Sequence, residues 1–261
     1  MLNAGLLYYI FDIIPHMKAI ILTAGKGTRM LPMTEIINKN LIPILNKPMI
    51  MYSLEFLKET MGISEVLIVV SPKDLEIFEK FFGDGSRCGV RLSFKIQENA
   101  TGIASAIAMG EDFIPKGEKF VVLLGDNIFL SSTQEILKLP EGDDAVIFAH
   151  EVKDPKRFGV VVYDENHNPV DIEEKPENPK SNSVVTGLYV YPYRAFEIIK
   201  TLSPSPRGEY EVTDLNNYFL HKKECHSISV DTFCDFWIDA GTPESILEVS
   251  NHIFQNSKKA N

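Results

Sequence analysis

Apolar residues recur along the first half of this 261-residue chain in two interleaved patterns. Short runs of β-branched and aliphatic residues at Lys18–Leu22, Glu65–Val70, Arg91–Ile96 and Lys119–Leu124 read as strands. Longer amphipathic stretches over Met49–Thr60, Asp74–Phe82 and Ile103–Phe113 read as helices. Strands alternating with helices predict right-handed βαβ units, hence an α/β fold: a Rossmann-like, mostly parallel sheet with helices on both faces. In such sheets ligands sit where loops leave the carboxyl ends of the strands. The residues directly after Lys18–Leu22 and Lys119–Leu124 are therefore the first candidates for chemistry.

From about residue 145 the pattern changes. Ala145–His150, Phe158–Tyr163, Val170–Glu174 and Gly187–Tyr191 are strand-like, with few helical stretches between them. They predict a smaller β-rich part built onto the first sheet. Turns at Pro204 and Pro206 follow, then a helix around Glu211–Tyr218, a strand-like Phe236–Ile238 and a closing helix after Pro243. No internal repeat or linker divides the chain, so residues 17–253 are expected to form a single domain. Residues 254–261 read as a tail. The opening 1–16 is apolar but interrupted by Asp12 and shorter than the ~20 residues a spanning helix needs. We read it as an N-terminal extension ahead of a start at Met17, not as a targeting signal.

Composition narrows the function classes. The formal net charge of −10, from 36 acidic and 26 basic residues, disfavours sequence-independent nucleic-acid binding, which needs a basic face. Three cysteines without a C-x-x-C spacing point to a reducing cytoplasm. The six histidines form no H-x-x-x-H pair, so nothing suggests zinc, and no membrane association is expected.

The first candidate site is the loop Thr23-Ala24-Gly25-Lys26-Gly27-Thr28-Arg29, directly after the first strand. Glycines there let backbone N–H groups approach phosphate oxygens without an intervening Cβ. A P-loop would need glycine at position 20, where Ile20 stands, and a dinucleotide fingerprint needs glycine at position 30, where Met30 stands. What remains is G-x-G-T-R with Lys39 ten residues on. Arg29 and Lys39 can place two cations on the β and γ phosphates of a triphosphate; a simple turn with solvated basic residues is the alternative.

The second candidate is a pair of carboxylates. Asp126 follows Lys119–Leu124, and Asp239 follows the strand-like Phe236–Ile238. Mg²⁺ takes one or two carboxylates plus phosphate oxygens and water, so two aspartates at strand ends could converge on one ion. Taken alone, Gly125-Asp126-Asn127 also fits an ordinary turn.

Several widely spaced motifs now resemble one family. Ala24-Gly25-Lys26-Gly27-Thr28-Arg29 followed by Asn38-Lys39-Asn40-Leu41-Ile42-Pro43 is similar to the opening signature of the sugar nucleotidylyltransferases. Gln97–Ala104, Leu124–Asn127, Arg157–Val160, Glu173–Pro176, Val185–Gly187, Arg207–Glu209 and Trp237–Thr242 match further family segments in order. The resemblance runs from Met17 to about Ile253 and is strongest to members that use dTTP and glucose 1-phosphate. It implies a nucleotide-binding half over 17–144 and a sugar-phosphate half over 145–253. It also implies Mg²⁺ at Asp126 and Asp239, with a phosphate oxygen attacking the α-phosphorus directly. The triphosphate nucleotide would lie on Ala24, Gly25, Gly27, Thr28, Arg29, Lys39 and Asp126, with Gln97 and Gly102 at the base. Asn127, Gly159, Glu174, Lys175, Val185 and Arg207 would surround the sugar phosphate, Lys175 holding the attacking group; Arg207 could instead simply open the next helix. Arg29, Lys39 and Lys175 would be the catalytic cations, and a homo-oligomer is the family's usual state.

Three readings follow: the dTTP and glucose 1-phosphate enzyme, a sister enzyme using UTP or another hexose phosphate, and a non-catalytic ligand-sensing paralogue. The paralogue should have lost a carboxylate or a phosphate cation, and all are present. Two departures stand out. Lys26 replaces a serine of the family's G-G-S-G-T-R, adding a cation beside the triphosphate, and Asn40 replaces a glutamine expected near the base. Long members continue beyond the point equivalent to Ile253, so the second nucleotide site that their extra helices help form is not expected here.

Overall fold

The computed structural model describes residues 17–131 and 137–259. The expected extension 1–16 and residues 260–261 of the tail lie outside the described residues. Four parallel strands form the first half of the sheet: β1 (Lys18–Leu22), β2 (Glu65–Val70), β3 (Arg91–Ile96) and β4 (Lys119–Leu124). Helices α1 (Met49–Glu59), α2 (Leu75–Phe82) and α3 (Ile103–Ala108) lie between them. After β4 come β5 (Asn127–Leu130), β6 (Ala145–Glu151), β7 (Gly159–Tyr163), β8 (Pro169–Glu174) and β9 (Ser183–Pro192). The chain closes with α4 (Ala195–Ile199), α5 (Val212–His221), β10 (Cys225–Ser229), β11 (Phe236–Asp239) and α6 (Pro243–Lys259).

Period-two alternation explains why both sheet faces carry helices. In β1, Ala19 and Ile21 point into one apolar core, while Ile20 and Leu22 point into another. The same split places Val66, Ile68, Val121 and Leu123 with α1 and α2, and Leu67, Val69, Phe120 and Val122 with α3, α4 and α5. Each fully buried aliphatic side chain stabilises the fold by about 1.5–3 kcal/mol. The sheet therefore depends on both layers, the signature of a doubly covered α/β core.

Among the described residues nine strands form one sheet, in the order β8-β7-β9-β4-β1-β2-β3, with β6 pairing β9 and β10. The β-rich second half thus extends the first sheet rather than starting another. The joint is β9, a wholly buried ten-residue strand running antiparallel to β4 through Leu188–Pro192 and to β6 on either side of a bulge at Thr186–Leu188. A separate antiparallel ribbon, β5 with β11, lies beside this bulge and packs on α1, where Phe56 stacks on Phe129 at 4.9 Å.

Two local expectations are corrected. The helix read over Ile103–Phe113 ends at Ala108. A Cβ at Gly110 would lie 2.2 Å from Ile20 Cδ1, so the chain passes flush against β1 and tightens into i→i−3 turns, as Gly110 N–H donates to the Ile107 carbonyl. Strands β5 and β10 were not anticipated; only two residues separate β5 from β4, and β10 is the half-polar Cys225-His226-Ser227-Ile228-Ser229 at a sheet edge.

Candidate active site

The carboxyl ends of β1 and β4, the β9 bulge and the end of β11 open onto one cavity of about 760 Å³. Its walls include every residue that the resemblance assigned to a substrate or to Mg²⁺: Ala24, Gly25, Gly27, Thr28, Arg29, Lys39, Gln97, Gly102, Asp126, Asn127, Gly159, Glu174, Lys175, Val185, Arg207 and Asp239. That volume suits two small polar substrates side by side.

The loop after β1 is braced from below. Thr23 donates through both N–H and hydroxyl to the Val69 carbonyl, at 2.9 and 2.8 Å. Gly27 adopts a left-handed φ of 63°, and the Thr34 hydroxyl donates to its carbonyl at 2.8 Å. Lys39 comes from a short 3₁₀ turn capped by Asn38, whose Oδ1 accepts the Asn40 N–H at 2.9 Å. The Asn38 amide also donates to the Thr23 carbonyl and to Asp74, tying this turn to the loop. Asn40 itself is fully buried, with a Cβ at Gly125 falling 2.6 Å from its Oδ1. It supports the Gly125–Asp126 turn and does not line the cavity.

The two aspartates meet because β5 and β11 pair with Asn127 opposite Asp239, and the Ala240 N–H donates to the Asp126 carbonyl at 2.8 Å. Lys39 forms an ion pair with Asp126, and Arg29 one with Asp239 at 3.4 Å. Burial alone would push the Asp126 carboxyl up, but the adjacent Lys39 ammonium more than offsets this and holds it below the usual carboxylate range. Burial, then the Asp126 charge, pushes Asp239 up. Among the described residues no group of three or more His, Cys, Asp or Glu could hold a metal. Two carboxylates beside a glycine-rich loop that carries cations nevertheless fit a hard divalent cation, which takes one or two carboxylates and completes its shell with phosphate oxygens and water.

On one side of these aspartates lies Gln97, only 7% exposed at the end of β3. Its Nε2 donates to Ser105 Oγ at 3.0 Å, and that hydroxyl in turn donates to the Gly102 carbonyl at 2.8 Å. Because Ser105 spends its single proton on Gly102, it must accept from Gln97; Nε2, whose other contact is the Gly102 carbonyl at 3.5 Å, therefore faces this turn and Oε1 has no partner among the described residues. Gly102, at φ 115°, runs against the Tyr210 backbone.

On the other side, Gly159 and Glu174 face each other across β7 and β8. Lys175 follows in a left-handed conformation, φ 46°, which costs about 1–2 kcal/mol and is held by its N–H donating to the Phe158 carbonyl at 2.9 Å. Glu174 Oε1 is 3.2 Å from Lys175 Nζ and 3.4 Å from Arg207, while Oε2 accepts the Thr213 hydroxyl at 2.6 Å. Arg207 Nη2 reaches both oxygens of buried Glu211 at 2.9 Å. Val185 lies on β9 beside the bulge.

Comparison with known proteins places this arrangement. The sequence pattern of the Nucleotidyl transferase family matches residues 18–256. The chain belongs to that family. This nucleotidyl transferase is 44% identical over 242 residues to a protein of Neisseria gonorrhoeae named glucose-1-phosphate thymidylyltransferase, covering 91% of this chain and 82% of the relative. It is 40% identical to a protein of the same name from Xanthomonas campestris, covering 90% and 80%. A crystal structure of a putative glucose-1-phosphate thymidylyltransferase from Bacillus anthracis superposes with a TM-score of 0.80 at 36% identity, covering 91% of this chain and 94% of that one. A UDP-glucose pyrophosphorylase complexed with UDP-glucose superposes at 0.77 with 25% identity, covering 92% and 99%. Among the described residues no helix is long and apolar enough to cross a membrane.

Sequence reading of this transferase missed Glu211 and Thr213, which hold Arg207 and Glu174, and a hydrogen bond from Trp237 to Asn127. Glu211 carried a signal: an acidic residue four positions after Arg207, just before a helix, is placed to pair with it. Nothing in the sequence pointed to the Trp237 contact.

Proposed function

We propose that this transferase moves a thymidylyl group from dTTP to α-D-glucose 1-phosphate, forming dTDP-glucose and releasing pyrophosphate, in the supply of activated sugars for deoxysugar and cell-surface polysaccharide synthesis. The observation that carries this reading is the meeting of Arg29, Lys39, Asp126 and Asp239 in one cavity with Gln97–Gly102 and Glu174–Lys175, which the strand order sets on opposite sides of the β4 end. A triphosphate spanning from the base side to these groups presents its α-phosphorus toward the sugar side. A phosphate oxygen of glucose 1-phosphate attacks that phosphorus in line; the new P–O bond forms as the bond to the α–β bridging oxygen breaks and pyrophosphate leaves. Phosphate is already an anionic nucleophile at neutral pH, so positioning and charge stabilisation suffice. Lys175 holds the attacking phosphate, and Arg29 and Lys39 neutralise the departing one. When Mg²⁺ is held by Asp126 and Asp239, the chemistry supplied there is neutralisation of phosphate charge. Glu174 accepts hydrogen bonds from sugar hydroxyls. The free thiols of Cys88, Cys225 and Cys234 suit a cytoplasmic enzyme.

Base choice rests on Gln97. With Nε2 committed to Ser105, its free Oε1 suits the N3–H of thymine or uracil, whereas cytosine N3 has no proton to donate. UTP shares that edge, so the second reading, a UTP-using activity, differs only by the contact to the 5-methyl group, worth about 1–3 kcal/mol at best. Equilibrium binding to Lys175→Ala tests the division of labour. Glucose 1-phosphate should bind about tenfold or more weakly with dTTP binding retained. Loss of dTTP binding alone would place Lys175 on the wrong substrate.

A further inference from the structure

Asn127 sits between the paired carboxylates and the sugar side, and its amide is fixed in an unusual way. Its Oδ1 accepts two hydrogen bonds: from the Gly187 N–H in the β9 bulge at 2.8 Å, and from the Trp237 indole N–H at 2.9 Å. Both partners are pure donors, so the atom facing them must be the carboxamide oxygen, and the usual ambiguity between amide oxygen and nitrogen does not arise. The nitrogen then points the other way, 3.4 Å from Asp126 Oδ1. Asn127, the acceptor, is 4% exposed and Trp237, the donor, 8%, so the indole N–H is poorly placed to find water in place of a lost partner.

The surroundings leave the amide no second position. A Cβ at Gly187 would fall 2.5 Å from Asn127 Cγ and 2.6 Å from Nδ2, so the bulge closes on the carboxamide. The indole is held in turn by ring contacts with Phe158 at 5.9 Å and, edge to face, with His150 at 5.4 Å. Trp237 also shares β11 with Asp239, two residues away, so the strand that brings one carboxylate also brings the donor that orients the neighbour of the other.

We propose that Trp237 is a positioning residue: through its indole N–H it holds the Asn127 amide so that Nδ2 is presented as a donor at the sugar-phosphate side, next to Asp126. The inference rests on the reading of Asn127 as a sugar-side residue. It goes beyond that reading by assigning the orientation, and the selectivity for an acceptor on the substrate, to a tryptophan of the cavity wall that acts through the amide of its neighbour. An amide free to rotate would offer donor and acceptor equally and distinguish nothing.

This is the chain's single tryptophan, so its indole proton gives one unambiguous NMR signal. In the full-length protein that proton should exchange slowly, and about tenfold faster in Asn127→Ala. Asn127→Asp keeps an acceptor and should keep the protection while weakening glucose 1-phosphate use, because the donor is gone. Trp237→Phe should raise KM for glucose 1-phosphate about fivefold while dTTP affinity stays within about twofold, and Trp237→Phe with Asn127→Ala should be no worse than Asn127→Ala alone. An indole proton whose exchange ignores Asn127→Ala overturns the proposal, even if Trp237→Phe cannot be folded. So do single effects that multiply in the double variant, or equal losses for both substrates in Trp237→Phe. A wild-type protein that used neither substrate would overturn the functional reading instead, and the exchange experiment would still decide the lock.

Discussion

Gly102→Ala adds one methyl group at the point where the base-side loop crosses the segment leading into α5. Gly102 has φ 115°, a region that residues with a Cβ rarely enter, at a cost of about 1–3 kcal/mol. The added Cβ would lie 2.4, 2.6 and 2.9 Å from the carbonyl oxygen, nitrogen and carbonyl carbon of Tyr210. That backbone cannot simply yield, because Tyr210 N–H donates to the Thr101 carbonyl at 2.7 Å and its own carbonyl accepts the Ala104 N–H at 3.1 Å. Relief by separating the two segments loses one or both bonds, each worth about 0.5–1.5 kcal/mol. The combined penalty is then about 2–5 kcal/mol, below the roughly 5–15 kcal/mol that hold a typical domain together. The variant should fold with Tm lowered by roughly 4–20 °C. The Gly102 carbonyl also accepts the Ser105 hydroxyl that orients Gln97, so kcat/KM for dTTP should fall about tenfold or more, with glucose 1-phosphate KM changed little. Thermal melting and steady-state kinetics read both effects. Wild-type Tm together with unchanged dTTP kcat/KM would refute the clamp and its link to base recognition.

Gln97→Ala removes the free amide oxygen at the base, so the dTTP-to-CTP ratio of kcat/KM should fall about tenfold; an unchanged ratio takes Gln97 out of base recognition. Lys26 lines the cavity and, unlike Arg29 and Lys39, has no carboxylate partner among the described residues. Lys26→Ser, which restores the residue of the family pattern, should raise KM for the triphosphate about threefold at low salt and flatten its dependence on ionic strength; a KM unmoved at low salt makes Lys26 a solvated bystander.

The parts of the fold that were legible in the sequence are those whose burial is uniform. Glu65–Val70 and Lys119–Leu124 read clearly because both faces of the strand are covered, so nearly every position is apolar. Ile103–Phe113 misled because its helical pattern is genuine, but Gly110 must pass against Ile20, a tertiary contact with no local signature. For the cavity, topology alone pointed to the loops after Lys18–Leu22 and Lys119–Leu124, whereas Gln97, Gly102, Gly159, Glu174, Lys175 and Val185 were named through the family resemblance. Groups that act on other residues could not be named either way. Asn40 looks like a site residue by its place beside Lys39, yet its side chain turns under the Gly125–Asp126 turn. Glu211 and Trp237 do their work through hydrogen bonds spanning folded distances: Trp237 reaches a residue 110 positions away.

The central claim is nucleotidyl transfer at the carboxylate pair, from a thymidine triphosphate to a hexose 1-phosphate. The most direct measurement is pyrophosphate release with dTTP, UTP, CTP, ATP and GTP each crossed against glucose 1-phosphate and other hexose 1-phosphates, with and without Mg²⁺. The highest rate is expected with dTTP and glucose 1-phosphate, a lower rate with UTP, little with CTP or purine triphosphates, and none once divalent cations are chelated. Preferred use of a purine triphosphate, or full turnover in the presence of a chelator, would contradict it.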